Sequence, residues 1–584
     1  MLLHNDLKVE LGTLIQSALQ KQGHEVPLED IYKAISASPK VDVGHLAYPA
    51  FGLSKLLREK PPVIAKGIVD HFPENDLVEE INQAGPYLNF KLSTAAIGSM
   101  VCEPILDGRF FQKALTKETP KTMVEYSQPN THKELHVGHM RNLALGESLI
   151  LLHRYCGYDI VSATFPGDVG THVAKCLWYM KFVNTETPPE THKGVWLGKM
   201  YSRASLMLED MKGTEEEAAA KVVMTTILQQ LEAGEGEYFD LWKETRAWSI
   251  ALMEEVYNWA GVEFDAWYWE STVDADSVKY AKENYEKGFF SESKGAIGID
   301  LEEYHLGYAI VLKSDGNGAY LTKDLELARR KFQENGIEKS VYVVDKRQEQ
   351  HFKQVFKILE LMGFEQAENC HHLKYDYVEL PDGPMSSRKG NIVPIMTLIE
   401  GMEAAIYENF LQAQIEKGGM DEAEAREIAA IVAKGAIKYG MVKIDTQKKI
   451  VFDLEQWIQI SGNSGPYQQY VVARINSLLK KQGYEPDGEI DWSLLSLSSE
   501  IDLLIKVSVF NDAMLSATQK YQTNQVTNYL YDLSKSLNGF YNDVNIRDTE
   551  DPILKNTRMA LLDVVRKVET QGLALLGIAV PEKM

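Results

Sequence analysis

Residues 122–139 read TMVEYSQPNTHKELHVGH, and this stretch decides the fold that we expect. Residues 122–126 are typical of a buried strand, and a polar loop follows over 127–133. From 138 to 155 the apolar residues recur at helical spacing, and 158–165 is again typical of a strand. Strand, helix and strand in this order predict a βαβ unit, which builds parallel sheets that bind nucleotides at the carboxyl ends of their strands.

The same pattern returns further along the chain. Residues 340–345 and 375–380 are typical of strands, and a helical pattern lies between them over 348–362. Residues 178–290 have a mostly helical pattern and many charged residues, so we interpret them as an insertion that joins two halves of one nucleotide-binding fold. A hairpin is expected over 308–320, because this segment contains the turn sequence Asp-Gly-Asn-Gly.

Three domains are expected in a chain of 584 residues. Residues 1–110 mix short helical and strand patterns and form a small α+β domain. Residues 111–395 form an α/β domain with a Rossmann-like parallel sheet and the helical insertion at about 178–290. Residues 396–584 carry apolar residues at three- and four-residue spacing, which predicts an all-α bundle.

Composition and charge restrict the possible functions. The net charge of −23 argues against nonspecific nucleic-acid binding, although a local basic surface could still bind RNA. The chain lacks an apolar run of about eighteen residues, so we expect no membrane span. It begins without the basic segment and cleavage site of a signal peptide. None of the four cysteines forms a C-x-x-C pair, so we expect a cytoplasmic protein without a dedicated metal site.

Two short motifs predict nucleotide chemistry. His136-Val137-Gly138-His139 lies where a helix begins, so free N–H groups and the helix dipole face a phosphate there. Gly138 leaves room for an adenine ring, and His136 and His139 can donate hydrogen bonds to triphosphate oxygens. Far downstream, residues 385–390 read MSSRKG, a basic loop that can close over pyrophosphate. The alternatives are two surface histidines and a solvated turn.

Together the two motifs resemble the signatures of class I aminoacyl-tRNA synthetases. Further stretches are similar to arginyl-tRNA synthetases in particular, and they cover most of the chain: 125–141, 167–171, 320–324, 463–470 and 576–584. The resemblance implies that the protein activates L-arginine with ATP and Mg²⁺ and then transfers arginine to the terminal ribose of tRNA(Arg). It also implies a monomer. The rival hypotheses are another class I synthetase or small nucleotidyltransferase, and a catalytically silent RNA-binding relative.

The resemblance also assigns roles around these motifs. Pro384 and Ser387 stand where most class I enzymes have lysines, and Lys133 is expected to supply the second charge. The implied catalytic residues are Lys133, His136, His139, Ser386, Arg388 and Lys389. The implied ATP-binding residues are His136, Gly138, His139, Met385, Ser386 and Ser387.

A candidate arginine pocket is formed by Tyr320 and Asp324, which are four residues apart and therefore share one helix face. The Asp324 carboxylate could form a two-pronged pair with a guanidinium. The alternative is a surface acid paired with Arg329 or Lys323. The resemblance implies that arginine is bound by Glu125, Ser127, Asn130, Tyr320, Asp324 and Gln348.

Aromatic and basic residues also alternate in the predicted bundle. Tyr467, Tyr470 and Arg474 have helical spacing; exposed aromatics can stack unpaired bases, and arginine can bind phosphate. The alternative is that the tyrosines are core residues, which we favour for Tyr470. The resemblance implies that the bundle binds the anticodon through Tyr467, Arg474 and Met584, and that the N-terminal domain contacts the corner of the tRNA.

We predict that arginine activation requires bound tRNA, because the missing lysine in the 384–390 loop suggests a site that is incomplete until tRNA binds. Exchange of pyrophosphate into ATP should need both arginine and tRNA. Strong exchange with arginine and ATP alone would contradict this prediction.

Overall fold

A five-stranded parallel sheet lies at the centre of the computed structural model, which describes residues 4–38, 42–117, 119–381, 383–384 and 393–584. Its strands are, in spatial order, Cys370–Tyr375, Lys339–Asp345, Thr122–Glu125, Ile160–Thr164 and Ala266–Trp267. The next two strands in the sequence, Ile160–Thr164 and Ala266–Trp267, lie on one side of Thr122–Glu125, and the two after them lie on the other side, so the direction of strand addition reverses there. In open parallel sheets this reversal opens a crevice at the carboxyl ends of the strands.

The predicted βαβ unit is confirmed. Helix Val137–Cys156 connects strand Thr122–Glu125 to strand Ile160–Thr164 and ends at Gly157, whose φ of 89° gives the left-handed backbone typical of a helix end. The other helices of the sheet domain follow the later strands or begin beside the crevice: Thr171–Phe182, Tyr320–Asn335 and Glu349–Leu361. Short 3₁₀ turns lie at Glu302–Tyr304, Lys346–Gln348 and Glu365–Asn369.

The insertion is mostly helical, as predicted. Its helices are Lys193–Asp210, Glu215–Ala233, Glu237–Ala260 and Glu270–Glu286. Between the last two, Ala266–Trp267 returns to the parallel sheet as its edge strand. An antiparallel sheet then follows, with strands Ser291–Ser293, Ala296–Asp300 and Tyr308–Leu312.

One local prediction was wrong. The strand beside Lys339–Asp345 is Cys370–Tyr375, not 375–380; after Tyr375, Val378–Leu380 is a separate strand, and it pairs with Ile450–Val451.

The expected hairpin over 308–320 is present in a short form. The chain turns back after strand Tyr308–Leu312, with an antiparallel bridge between Leu312 and Gly318 and a hydrogen bond from the Ala319 N–H to the Val311 carbonyl. The returning arm ends there, because helix Tyr320–Asn335 begins at Tyr320.

Two further regions flank the sheet domain. The N-terminal region has an antiparallel sheet of Ser36–Ala37, Leu46–Pro49, Tyr87–Leu92 and Val78–Ala84. Its helices are Asp6–Gln20, Leu28–Ala34, Phe51–Leu57, Pro61–Asp70, Thr94–Ile97, Gly98–Cys102, Glu103–Leu106 and Arg109–Gln112. The C-terminal helices are Ile395–Ile406, Tyr407–Leu411, Gln412–Glu416, Glu422–Val442, Leu454–Trp457, Gly465–Gln482, Trp492–Leu494, Ser498–Ser508, Phe510–Gln519, Thr523–Asp543, Ile546–Asp548 and Pro552–Ala574. The domain limits at 110 and 395 stay a prediction. No helix in the described ranges is both long and apolar enough to cross a bilayer.

A buried ion pair joins helix Val137–Cys156 to helix Glu422–Val442 of the C-terminal region. The Lys438 ammonium donates to the Glu147 carboxylate over 2.6 Å and to the Gly577 carbonyl over 2.9 Å, and it also contacts the Ala260 carbonyl. The two side chains are only 1% and 8% exposed. The Lys438 ammonium therefore contacts three parts of the chain: helix Val137–Cys156, the insertion and the end of the bundle.

We predict that Glu147→Leu destabilises the protein by about 3–5 kcal/mol, because it leaves the buried Lys438 ammonium without its counter-charge. Thermal unfolding of this variant should be compared with that of Glu147→Leu/Lys438→Met, which should lose less. Asp70→Ala, at the exposed pair with Lys66, is the control and should change the Tm little. A Tm for Glu147→Leu equal to that of the control would contradict the prediction.

Candidate functional site

A cleft of about 780 Å³ opens at the carboxyl ends of the central strands. Glu125, Asp345 and Tyr375 line it, and each is the last residue of a parallel strand. The cleft brings together eight residues that the sequence singled out: Glu125, Ser127, Asn130, Lys133, His139, Tyr320, Asp324 and Gln348. Residues separated by more than 200 positions in the sequence therefore line the same cleft, as the strand reversal predicts.

The His136–His139 turn forms the start of helix Val137–Cys156. His136 precedes the helix, and its Nδ1 accepts the Gly138 N–H over 3.1 Å. His139 Nδ1 accepts the His136 N–H, also over 3.1 Å, and the two ring centroids are 4.0 Å apart. A Cβ at Gly138 would lie 2.9 Å from His136 Cε1, so glycine leaves space for the folded-back ring.

Both histidines of this turn are neutral. Burial, together with the positive charges of Arg347 and Lys133, lowers the pKa of His136 to about 4. Burial, His136 and Lys133 hold the pKa of His139 well below its usual range. Because each Nδ1 accepts a backbone N–H, the ring proton must lie on Nε2. The expectation of free N–H groups at this helix start was wrong, because the N–H groups of Val137, Gly138 and His139 donate to Val393, the His136 ring and the His136 carbonyl. The turn thus offers two uncharged ring N–H donors at the positive end of a helix dipole, a combination suited to phosphate.

Asp324 is not the surface acid of the alternative interpretation. Lys323 pairs instead with Glu270 over 2.7 Å, and Arg329 pairs with Glu326 over 2.7 Å. Both basic side chains are therefore engaged by other carboxylates. Neither of them pairs with Asp324, whose side chain instead lines the cleft.

The partner of Asp324 is a histidine that the sequence analysis missed. His351 Nε2 lies 2.5 Å from Asp324 Oδ2, joining helix Glu349–Leu361 to helix Tyr320–Asn335. Burial alone would lower the pKa of His351, but the hydrogen bond and charge of Asp324 outweigh it and the pKa is raised. Tyr320, one turn before Asp324, is 77% exposed, and Gln348 is exposed at the start of the next helix. Their polar groups are open to a ligand.

A second carboxylate of the cleft is balanced from behind. Glu125 forms an ion pair with Lys331, whose side chain is fully buried and whose ammonium lies 3.8 Å from the centre of the Tyr342 ring. Gln128 Nε2 donates to Glu125 over 3.1 Å. These contacts hold the Glu125 carboxylate at the end of its strand.

The loop after strand Thr122–Glu125 has an unusual backbone. Ser127 is left-handed, with φ 52°. Its N–H donates to Asn142 Oδ1 over 2.5 Å, and its hydroxyl donates to the Tyr257 hydroxyl over 3.0 Å. Asn142 also donates to the Tyr375 hydroxyl over 3.1 Å. The Ser127 side chain is thus already hydrogen-bonded within the protein.

The same loop is held from the insertion. His132 is left-handed, with φ 61°, and is buried. Its N–H donates to Ser249 Oγ over 2.9 Å, and its ring bridges Thr131 and Thr245 over 2.9 and 2.8 Å. Ser249 and Thr245 both belong to helix Glu237–Ala260. This helix therefore fixes the loop that carries Asn130 and Lys133.

Some of these residues had a sequence signal and others had none. His351 follows Gln348 by three positions, which places both on one side of a helix, so the helical spacing could have found it. Glu270, which also lines the cleft, and the buried Lys331 carry no local signal, because their partners Lys323 and Glu125 lie far from them in the sequence. Only the fold brings them to the site.

The remaining predicted residues lie elsewhere or outside the described residues. Residues 385–390, with Met385, Ser386, Ser387, Arg388 and Lys389, fall outside the described ranges. The Lys133 ammonium lies 5.4 Å from the centre of the Tyr201 ring at the cleft. In the C-terminal helices, Tyr467 accepts a hydrogen bond from Asn538 over 2.8 Å, and exposed Arg474 lies over the Tyr541 ring. Tyr470 and Met584 are half-buried.

Three family models match consecutive parts of the chain. The model "tRNA synthetases class I (R), catalytic domain" matches residues 101–454. The model "DALR anticodon binding domain" matches residues 468–584. The model "Arginyl tRNA synthetase N terminal domain" matches residues 10–92.

Whole proteins match as well. The arginine–tRNA ligase of Bdellovibrio bacteriovorus is 49% identical over 586 residues, which covers all of both chains. The arginine–tRNA ligase of Clostridium botulinum is 34% identical over 99% of this chain and all of its own. Among solved structures, the Thermus thermophilus arginyl-tRNA synthetase superposes with a TM-score of 0.79 at 26% identity, covering 98% of this chain and 99% of its own.

We predict that acid destabilises the protein between about pH 6.5 and pH 4. The cause is a set of histidines whose pKa burial lowers to about 3 or 4 in the folded protein: His45, His132, His136 and His153. Below pH 6.5 the unfolded chain binds protons that the folded one does not, so stability is present above 6.5 and is lost as the pH falls. The Tm should decrease from pH 7.5 to pH 5; an unchanged Tm would disprove the prediction.

Proposed function

Because this chain belongs to the arginyl-tRNA synthetase family, we propose that the cleft at the carboxyl ends of its central strands binds L-arginine and ATP. The enzyme activates L-arginine with ATP to arginyl-adenylate and then transfers arginine to the 3′-terminal ribose of tRNA(Arg). One observation carries the assignment of the site. A single cleft combines carboxylates suited to a guanidinium and an ammonium with neutral N–H donors suited to phosphate.

The substrate guanidinium binds Asp324. A planar guanidinium presents parallel N–H donors, and a carboxylate matches them with two oxygens. Tyr320 and Gln348 complete the hydrogen bonds from the same side of the cleft. Two observations support this assignment. Tyr320 is exposed to solvent, and Lys323 and Arg329 form ion pairs with other acids.

The α-amino end of arginine lies against Glu125. The negative charge of Glu125 is balanced by the buried Lys331, so the Glu125 side chain stays in place whether or not substrate is bound. Asn130 receives the substrate carboxylate through its amide N–H group. Ser127 shapes this wall of the cleft, because its hydroxyl, N–H and carbonyl are bonded to Tyr257, Asn142 and Thr164.

The triphosphate lies at the His136–His139 turn. The two Nε2–H groups donate to phosphate oxygens, the dipole of helix Val137–Cys156 adds a positive potential, and Gly138 leaves room for the His136 ring. Lys133 adds positive charge, and the loop of Met385, Ser386, Ser387, Arg388 and Lys389 covers the leaving pyrophosphate. The donors of the turn are N–H groups rather than carboxylate oxygens, so Mg²⁺ enters with ATP and is held mainly by phosphate and water.

The chemistry then needs no nucleophilic side chain. A carboxylate oxygen of arginine attacks the α-phosphorus, and pyrophosphate leaves. The ribose hydroxyl of tRNA next attacks the carbonyl carbon of the adenylate, and AMP leaves. The enzyme contributes alignment of the reacting groups and stabilisation of the charge that develops on the phosphates.

The remaining proposals concern tRNA and the state of the protein. Tyr467, Arg474 and Met584 contact the anticodon loop, which the exposure of Arg474 supports.

The functional units are residues 1–110, 111–395 and 396–584. The protein acts as a monomer, which is supported by the fact that the described residues of one chain bring carboxylates and N–H donors into a single cleft. It works in the cytoplasm, where its four buried free thiols would stay reduced.

We predict that Asp324→Asn lowers kcat/KM for arginine by about ten- to over a hundredfold, the cost of a charge-assisted hydrogen bond of roughly 1.5–3 kcal/mol. The amide keeps the shape but turns one acceptor into a donor that faces another donor. Tm and KM for ATP should not change. Asp276→Asn, on a surface pair with Arg330, is the control. Charging by Asp324→Asn at the parent rate would place the specificity pocket elsewhere.

We predict that Lys133→Ala lowers the rate of arginine activation far more than it weakens arginine binding, because its charge acts on the phosphates in the transition state. Pyrophosphate exchange measures both effects. Lys199→Ala, an exposed lysine on the neighbouring helix Lys193–Asp210, should behave like the parent. A raised arginine KM with unchanged turnover would show that Lys133 acts on the amino acid instead.

A further inference from the structure

We propose that His351 is a positioning residue for arginine selection, which holds the Asp324 carboxylate in the plane that a guanidinium requires. The inference rests on the proposed role of Asp324 as the guanidinium partner. It adds a residue that touches Asp324 rather than the reacting atoms. Its effect should therefore appear in arginine recognition and not in the chemistry of ATP.

The contact itself is specific and directional. His351 Nε2 lies 2.5 Å from Asp324 Oδ2, and the two side chains are 22% and 17% exposed at the edge of the cleft. Within the described ranges, Asp324 Oδ1 has no hydrogen-bond or ion-pair partner. One carboxylate oxygen is thus fixed by the protein while the other is left to the ligand.

A carboxylate needs such a contact if it is to select a guanidinium. The terminal torsion of aspartate is broad, so an unrestrained carboxylate rotates readily. A two-pronged pair requires both oxygens to lie in the guanidinium plane. Since each oxygen accepts two hydrogen bonds, Oδ2 can keep its bond to His351 and still accept one from arginine.

The two helices that carry the pair make the restraint rigid. Asp324 lies in the first turns of helix Tyr320–Asn335, and His351 lies in the first turn of helix Glu349–Leu361. The His351 ring also contacts the Phe352 ring edge to face at 5.4 Å between centroids. The hydrogen bond therefore spans two anchored elements, and Gln348 precedes His351 on the same side of the cleft.

The test uses two substitutions of His351 and a matched control. His351→Leu removes the donor, whereas His351→Gln can place an amide N–H near the position of Nε2. We expect His351→Leu to raise KM for arginine by about ten- to a hundredfold, with KM for ATP and kcat at saturating arginine unchanged. His351→Gln should restore most of the loss. His371→Leu, which removes a ring stacked on Tyr521 away from the cleft, should match the parent.

A double-mutant cycle separates positioning from other roles. In an Asp324→Asn background, His351→Leu should change arginine KM little further, because it acts through the carboxylate that is already gone. Additive effects would overturn the proposal, as would an equal loss of kcat, ATP affinity and Tm in His351→Leu. If His351→Leu does not fold, His351→Gln and His351→Asn decide: only glutamine reaches Asp324, so equal KM values for the two overturn it.

Failure of this inference differs from failure of the proposed arginine site. If Asp324→Asn impairs arginine use and His351→Leu does not, only the positioning role of His351 is wrong. If neither variant changes arginine use, the assignment of the guanidinium to Asp324 is wrong as well.

Discussion

The loop between the first central strand and its helix depends on hydrogen bonds from outside itself. Ser127 and His132 both adopt left-handed backbone, which costs about 1–3 kcal/mol for a residue other than glycine or asparagine. Asn142 fixes one end of the loop, and Ser249 with Thr245 of the insertion fixes the other. Because the loop carries Asn130 and Lys133, the helical insertion is a structural condition for the site and not a separate appendage.

The charged and polar groups of the cleft are balanced by three different kinds of partner. Glu125 has a permanent counter-charge in the buried Lys331, whereas Asp324 has a titratable partner in His351. At the proposed phosphate end, the donors are the neutral rings of His136 and His139 at the start of a helix. These neutral donors explain how a chain with a net charge of −23 can bind a triphosphate, because the anion is met by oriented dipoles as well as by lysine and arginine.

The sequence predicts what is encoded locally and over long, regular patterns. The βαβ unit and the shared face of Tyr320 and Asp324 follow from periodicity, and the structure contains both. The edge strand Cys370–Tyr375 was missed because it contains histidines and a lysine, so the more apolar segment after it was favoured. Lys331 and Glu270 were missed because their partners, Glu125 and Lys323, lie far from them in the sequence. Contacts of this kind do not appear in the local sequence pattern. The roles of the predicted arginine- and tRNA-binding residues stay predictions.

The contacts of Lys438 also depend on the order in which the chain is synthesised. A ribosome makes the chain from its N-terminus, so helix Val137–Cys156 exists long before residue 577 does. Until then the buried Lys438 ammonium lacks the Gly577 carbonyl, one of its acceptors. The underside of the nucleotide-binding helix is therefore completed only after nearly the whole bundle has been synthesised. A stalled or shortened product would carry the His136–His139 turn on a helix whose buried ion pair with Lys438 lacks one of its acceptors.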